Sequence, residues 1–322
     1  MTLLFNFTAQ KPLRIGTRRS PLALAQAQMA AAAIRAHYNL SQAQAVLVPM
    51  LASGDIIQDR PLADIGGKAL WTKELERALL DGEIDIAVHS MKDVETLRPP
   101  EFCIAAMLPR ADVRDRLIGA PSVSALPAGA KVGTSSPRRA AQLLSIRSDL
   151  IIAPIRGNVA TRLSRIDAGE CDATLLAAAG LDRLSLPDIG AAIEITDMLP
   201  AASQGAIGIE ALSSRTDIQI MLAAIRHDPT YNCVMAERDF LAALGGSCHS
   251  PVAALAVMDG ARIWLRGEIL LEDGSERHAS EVRFDAAEIS GAIKTDGAGA
   301  PAMLAKELLG SASSALKSLF AL

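Results

Sequence analysis

Two stretches of this chain are variations on one pattern, and that repetition constrains the fold more than any other feature. LRIGTRRSPLALAQAQM (13–29) and AKVGTSSPRRAAQLLSI (130–146) each run from a short apolar segment into Gly-Thr, a polar loop and Ser-Pro. Ser20 and Ser136 suit a helix N-cap. Pro21 and Pro137 suit the first helical position, where the N–H that proline lacks is unpaired anyway. A second pair follows in the same order: DGEIDIAVHSMKDV (81–94) and AGECDATLLAAAGLDRL (168–184), each a Gly-Glu turn, an Asp and a strand running into a new element. Two modules recurring in one order predict two related α/β lobes with helices packed on a sheet.

The breaks between modules predict the domain plan. MLPRADVRDRLIG (107–119) and MLPAASQGAIGIE (198–210) read as two crossings, so lobe one is built from both flanks of lobe two. The last third differs. PTYNCVMAERDFLAALG (229–245) has helical apolar spacing, and 251–284 holds three strand-like runs split by Asp259-Gly260 and Asp273-Gly274. Asp-Gly between such runs signals a hairpin. A closing helix is expected over roughly 301–320. The expected class is α/β with three domains: lobe one of residues 1–108 and 206–223, lobe two of 114–199, and a small α+β domain of 228–322 with a three-stranded antiparallel sheet.

Composition removes several function classes. No apolar run approaches the roughly 18 residues that span a bilayer, and the start, MTLLFNFTAQKPLR, lacks a basic n-region and a cleavage site, so a cytoplasmic chain with no membrane partner is expected. The four cysteines (Cys103, Cys171, Cys233, Cys248) form no C-x-x-C pair, and no metal site is expected. The net charge is −4, and aromatic residues make up only 3%. Nucleic-acid binding needs excess positive charge and stacking rings, and is not expected. Within that acidic chain, residues 131–165 carry seven cations (Lys131, Arg138, Arg139, Arg147, Arg156, Arg162, Arg165) against Asp149 alone. Six arginines among seven cations point to a discrete anionic ligand, because guanidinium grips carboxylate with two prongs; a solvated face laced with salt bridges is the alternative.

The loops before both predicted helices also hold arginines, Arg18 and Arg19 in one lobe, Arg138 and Arg139 in the other. Helix N-termini add unpaired N–H groups and partial positive charge. Two facing lobes would present an arginine-rich cleft to a molecule with several carboxylates. Asp93, in HSMKDV after the strand IDIAV, stands where ligands bind in α/β sheets; it either caps a helix or stays ionised to stabilise a developing cation. Lys68 lies in a Gly-Gly loop able to act as a lid or as an ordinary turn. In RGNVATRLSRID (156–167), Arg162 and Arg165 share a helix face, where one could pair with Asp167 or Glu170. GGSCHSP (245–251) sets a thiol, Cys248, in a polar loop, either as a bystander or as a bonded group. The residues alone support a two-lobed binder of a polycarboxylate with a loop thiol, and a non-catalytic binder remains the alternative.

Seven motifs in fixed order, RIGTRRSPLALAQ, GDIIQDRPLADIGGKALWTKELE, DIAVHSMKDV, VGTSSPRRAAQL, IRGNVATRLSRID, SQGAIGIE and GGSCHSP, resemble the porphobilinogen deaminase (hydroxymethylbilane synthase) family. The resemblance implies a transferase of porphyrin biosynthesis. Its two lobes would be like periplasmic binding proteins, and a dipyrromethane cofactor would be joined by a thioether at Cys248. It also implies porphobilinogen as substrate, added in four rounds before water releases the linear tetrapyrrole, and a monomer. By the same resemblance Asp93 is catalytic. Lys92, Thr134, Ser136, Arg138, Arg139, Arg162, Arg183 and Gln204 would meet the cofactor. Arg18, Ser20, Arg156 and Lys68 would meet the substrate. Three features depart from the family pattern: Asp64 stands where a lysine is common, Ser203 where a glycine precedes the glutamine, and the stretch around Cys248 holds a serine and a histidine that the family often lacks.

Overall fold

The computed structural model describes residues 6–51, 72–245, 250–289, 291, 293–294 and 297–320. In chain order, strand β1 (Leu13–Arg18) leads into helix α1 (Pro21–Tyr38) and β2 (Ala45–Met50). After α2 (Lys73–Leu80), β3 (Ile86–Ser90) ends in the 3-10 turn Met91–Asp93, and β4 (Phe102–Met107) follows. The middle of the chain holds β5 (Asp115–Ile118), β6 (Lys131–Gly133), α3 (Pro137–Ile146), β7 (Ile151–Ala153), α4 (Val159–Asp167), β8 (Ala173–Ala177), α5 (Ala178–Arg183) and β9 (Ala191–Ala192). Then come β10 (Ile207–Leu212), α6 (Thr216–Ala223) and α7 (Asp228–Leu244). The final elements are β11 (Val252–Asp259), β12 (Arg262–Leu270), β13 (Arg277–Asp285), α8 (Ala300–Ser311) and α9 (Ser314–Lys317).

These elements form two compact units, one of residues up to Arg110 with Ala206–Tyr231, the other of Ala111–Gly205 with Asn232–Leu322. The first holds a five-stranded sheet of order β2-β1-β3-β10-β4, and the second holds β7-β6-β8-β5-β9. The two orders correspond strand for strand. In each, the Gly-Thr strand (β1 or β6) lies between two parallel neighbours. In each, the strand that follows a crossing between units (β10 or β5) runs antiparallel to both of its neighbours. The repeated sequence modules thus become repeated half-sheets. Ser20 caps α1 by accepting from the Ala23 N–H, and Ser136 caps α3 by accepting from that of Arg139.

Small side chains set the packing of the first unit. Ala23, Ala27, Ala30, Ala31 and Ile34 fall on one face of α1 and are all buried, so the helix backbone approaches Leu13, Ile15, Ile86, Val88, Ile207 and Ile209 closely. In the second unit Leu117, Val132, Leu143, Leu150 and Leu175 fill the corresponding core. The same unit carries the third sheet, β11-β12-β13, with antiparallel pairing throughout and both Asp-Gly hairpins at the expected positions. Phe240 of α7, Ile263, Leu265 and Ile269 of β12 and Leu304 and Leu308 of α8 make its core.

Two sequence expectations change, and one family departure gains a backbone account. The stretch 107–119, read as a polar break, contains β5; its sequence DRLI alternates buried and half-buried positions. The closing helix is not continuous over 301–320. Ala312 is extended and Ser313 starts a new turn, capping the Leu316 N–H while its hydroxyl and N–H bind Glu276. Ser203, in the family's glycine position, adopts φ 66°, a left-handed conformation that costs a non-glycine residue about 1–2 kcal/mol. The strain is offset by a 2.5 Å hydrogen bond from the Ser203 N–H to the buried Glu237 carboxylate.

Candidate active site

Two groups of polar side chains stand out, one in each unit. In the first, the ends of β1 and β3 and the start of α1 line a pocket with Arg18, Ser20, Gln26, Thr72, His89, Ser90 and Asp93. Asp93 sits on the 3-10 turn that follows β3, half-buried. Its carboxylate makes no hydrogen bond to any described residue. Gln26, which sequence reading missed, is 3% exposed with Nε2 unpartnered among the described residues. Nothing in the sequence separates it from the other polar residues of α1; only its turn of the helix does.

Behind this pocket lies a buried ion network. Glu210 on β10 is wholly buried and accepts from His89 Nε2 at 2.9 Å and from Arg98 Nε at 2.8 Å. An ionised carboxylate only accepts, so His89 carries its proton on Nε2. Burial alone would push Glu210 up, yet the His89 hydrogen bond and the Arg98 charge hold it below the usual glutamate range. Arg98 also binds Glu95 at 2.7 Å and Glu76 at 2.6 Å, while Thr72 donates to Glu95 at 3.2 Å. The network ties the segment after Asp93 to α2 and to the central strands, so the turn bearing Asp93 is held from behind.

In the second unit, Asp115, the first residue of β5, is the hub. It is 1% exposed, and its two oxygens receive Arg138 Nη2 at 2.7 Å, Arg139 Nη2 at 2.6 Å and Gln204 Nε2 at 2.9 Å. Burial opposes its ionisation, but the Arg138 and Arg139 charges overcome that and hold it far below the usual carboxylate range. Arg138 and Arg139 are themselves buried, at 3% and 6% exposure. Arg138 Nη1 donates to Gln142 and to the Leu199 carbonyl, and Arg139 Nη1 to the Leu175 carbonyl. Each keeps an Nε–H without a partner among the described residues, as does Arg183. Arg183 donates Nη2 to the Gly205 carbonyl at 2.6 Å, and its burial pushes its pKa down to about 10.

The structure therefore revises the cation cluster of residues 131–165. Arg138, Arg139, Arg147 and Arg165 all pair with protein carboxylates, at Asp115, Asp115, Asp149 and Glu170. The counterion of the first two lies outside the segment, where local charge counting does not see it. Arg156 is half-buried and has no partner among the described residues. Arg162 donates Nε to the Gly157 carbonyl at 3.1 Å. Thr134 and Ser136, with Ser135, Pro137, Ala140 and Glu272, line a polar depression at the N-terminus of α3. Lys92 neighbours Asp93 on its turn. Cys248, Lys68 and Asp64 lie outside the described residues. Among the described residues no cluster of His, Cys, Asp and Glu could hold a metal, and no helix is long and apolar enough to cross a membrane.

The buried Nε–H donors of Arg138, Arg139 and Arg183, without a partner among the described residues, suit a ligand rich in carboxylate and other acceptor oxygens. Comparison with known proteins agrees. Residues 13–220 match the porphobilinogen deaminase dipyrromethane cofactor binding domain, and residues 231–300 match the porphobilinogen deaminase C-terminal domain. Porphobilinogen deaminase of Sphingopyxis alaskensis is 55% identical over 98% of this chain and 98% of that protein. The Paracoccus denitrificans porphobilinogen deaminase is 47% identical over 94% and 95%. Among solved structures, the periplasmic aliphatic sulphonate binding protein SsuA from Escherichia coli aligns with a TM-score of 0.37 at 15% identity, covering 71% of this chain and 69% of that one. The fold is mixed α/β, with two five-stranded mixed sheets and a separate three-stranded antiparallel sheet.

Proposed function

The chain belongs to the porphobilinogen deaminase family, and from that premise we propose how its residues divide the work of hydroxymethylbilane synthesis. The enzyme is a transferase of porphyrin biosynthesis that condenses four porphobilinogen units with loss of ammonia and releases the linear tetrapyrrole by hydrolysis. The family's covalent dipyrromethane supplies a nucleophilic pyrrole carbon as primer. Cys248 is the proposed attachment point. Arg138, Arg139, Arg183 and Gln204, with Thr134, Ser136, Lys92 and Arg162, are the proposed contacts to it, and the unpaired Nε–H donors of the first three support that assignment.

The observation that carries the catalytic assignment is the Asp93 carboxylate, half-buried in the β3-end pocket without a partner among the described residues. Loss of ammonia from porphobilinogen leaves positive charge on the pyrrole. A fixed, half-buried carboxylate stabilises that charge as it develops and accepts the pyrrole N–H. Arg18 and Ser20, at the N-terminus of α1, and Arg156 would hold the substrate carboxylates, with Gln26 donating alongside them. Lys68 would add a cation from its loop. We further propose that the protein works as a cytosolic monomer, which light scattering of the purified enzyme tests.

The test pairs Asp93→Asn with Cys248→Ser. Asp93→Asn is expected to carry the two-pyrrole mass increment of the parent while kcat falls by about 10²–10³-fold. Cys248→Ser is expected to lack the increment. Parent-like turnover in Asp93→Asn would remove that residue from the chemistry.

A further inference from the structure

We infer that Glu268, a residue of the third sheet, is a positioning residue for primer binding: through Gln142 it sets the orientation of Arg138. Glu268 lies on β12 with 1% exposure, and its two oxygens have separate partners. Arg277 Nη2 donates to Oε2 at 2.8 Å, and Gln142 Nε2 donates to Oε1 at 3.0 Å. The other end of the Gln142 amide, Oε1, accepts from Arg138 Nη1 at 2.8 Å.

An amide has a donor end and an acceptor end, and the two are not interchangeable here. Gln142 Nε2 also donates to the Leu199 carbonyl at 3.0 Å. If the amide turned over, its oxygen would face both that carbonyl and the Glu268 carboxylate, while its NH2 would face the NH2 of Arg138. Like would meet like at both ends. A carboxylate accepts only, so Glu268 blocks the reversed amide in a way a neutral residue would not. With Nη1 held by Gln142 and Leu199, and Nη2 by Asp115, Arg138 keeps an Nε–H without a partner among the described residues.

Charge balance points the same way. Asp115 carries one negative charge between two guanidiniums, Arg138 and Arg139. Glu268, which also faces Arg277, joins Asp115 in favouring the charged form of Arg138 against its burial and the neighbouring Arg139. The strand that follows Cys248 in the chain, β11, pairs with the strand carrying Glu268: the Pro251 carbonyl accepts from the Leu270 N–H, and Val252 is opposite Ile269.

This inference rests on Arg138 as a primer ligand. The test uses full-length protein made without porphobilinogen, then supplied with it while intact mass is followed. Glu268→Gln keeps the size but removes the charge and the acceptor-only character, and is expected to gain the two-pyrrole increment about 10-fold more slowly than the parent. Gln142→Met breaks the relay and should slow loading similarly. The double variant should be no slower than Gln142→Met alone, a coupling that a merely structural Glu268 would not produce. Melting of the unloaded forms is run alongside. Lower melting temperatures with parent-rate loading in both single variants would overturn the inference. If Glu268→Gln does not fold, parent-rate loading in Gln142→Met overturns it by itself. Arg138→Gln separates the two levels: parent-rate loading there refutes Arg138 as a ligand, whereas slow loading there with both relay variants at the parent rate refutes only the relay.

Discussion

Replacing Asp115 by asparagine tests the electrostatic core of the second unit. The carboxylate is buried and meets two guanidiniums at 2.6 and 2.7 Å and an amide at 2.9 Å. Asparagine keeps the shape but turns one acceptor oxygen into a donor and leaves Arg138 and Arg139 buried side by side. Breaking a buried ion pair from one side costs about 3–5 kcal/mol, most of it the uncompensated charge that remains. Trp264 lies in the same unit, with Arg266 and Arg283 4.5 and 4.4 Å from its ring. Urea unfolding followed by Trp264 fluorescence, in a Trp71→Phe background that removes the other tryptophan, reads the loss. The pH dependence gives a second check. The folded-state pKa of Asp115 is depressed, so its contribution is fully present above the unfolded value of about 3.9 and fades as pH falls through the folded one. The gap between parent and variant should be flat from pH 7 to about 4, then shrink by up to about 1.4 kcal/mol per unit. A gap below about 1 kcal/mol at pH 7, or one that widens on acidification, would refute the view that Asp115 neutralises the arginine pair.

Other outcomes follow from particular contacts. Arg98→Met removes the cation shared by Glu210, Glu95 and Glu76 and should destabilise the first unit by about 3 kcal/mol, read by urea unfolding. Ser203→Gly releases the left-handed strain but frees the unfolded chain, and should raise stability by about 0.5–1 kcal/mol; a lower melting temperature would show that the serine side chain matters more than its backbone. Gly267→Ala would place a Cβ 2.5 Å from the Phe240 ring and should cost about 1–3 kcal/mol, with Phe240→Leu in the same background recovering part of it.

What the sequence made legible was local. Gly-Thr, Ser-Pro and Asp-Gly act through neighbours two to four residues away, and they predicted the caps of α1 and α3, the third-sheet hairpins and the repeat that becomes two matching half-sheets. The missed features depend on distant partners. Arg138 and Arg139 meet a carboxylate 23 and 24 positions earlier, Gln142 meets one 126 positions later, and His89 meets Glu210 across 121. Charge counted within a window read the first two as ligand-facing cations, because their counterion sat on a strand too short and too polar to recognise.

That displacement changes what the arginines mean. A guanidinium free in solvent binds any carboxylate loosely, and the side-chain freedom it loses on binding weakens the gain. Arg138 and Arg139 have already lost that freedom, since protein acceptors fix their Nη groups and leave Nε–H groups open. Such donors favour an acceptor in one place and discriminate against one displaced by an ångström, which suits a primer that stays on the enzyme while substrate units pass. Asp93 and Arg156, two of the side chains assigned to the transient substrate, carry no protein partner among the described residues. On this reading the enzyme separates permanent from passing anions by how firmly it holds its own polar groups. Asp115→Asn should therefore slow loading of the primer far more than it raises KM for porphobilinogen in the fraction that loads. Equal effects on both would mean that the buried arginines act on every carboxylate alike.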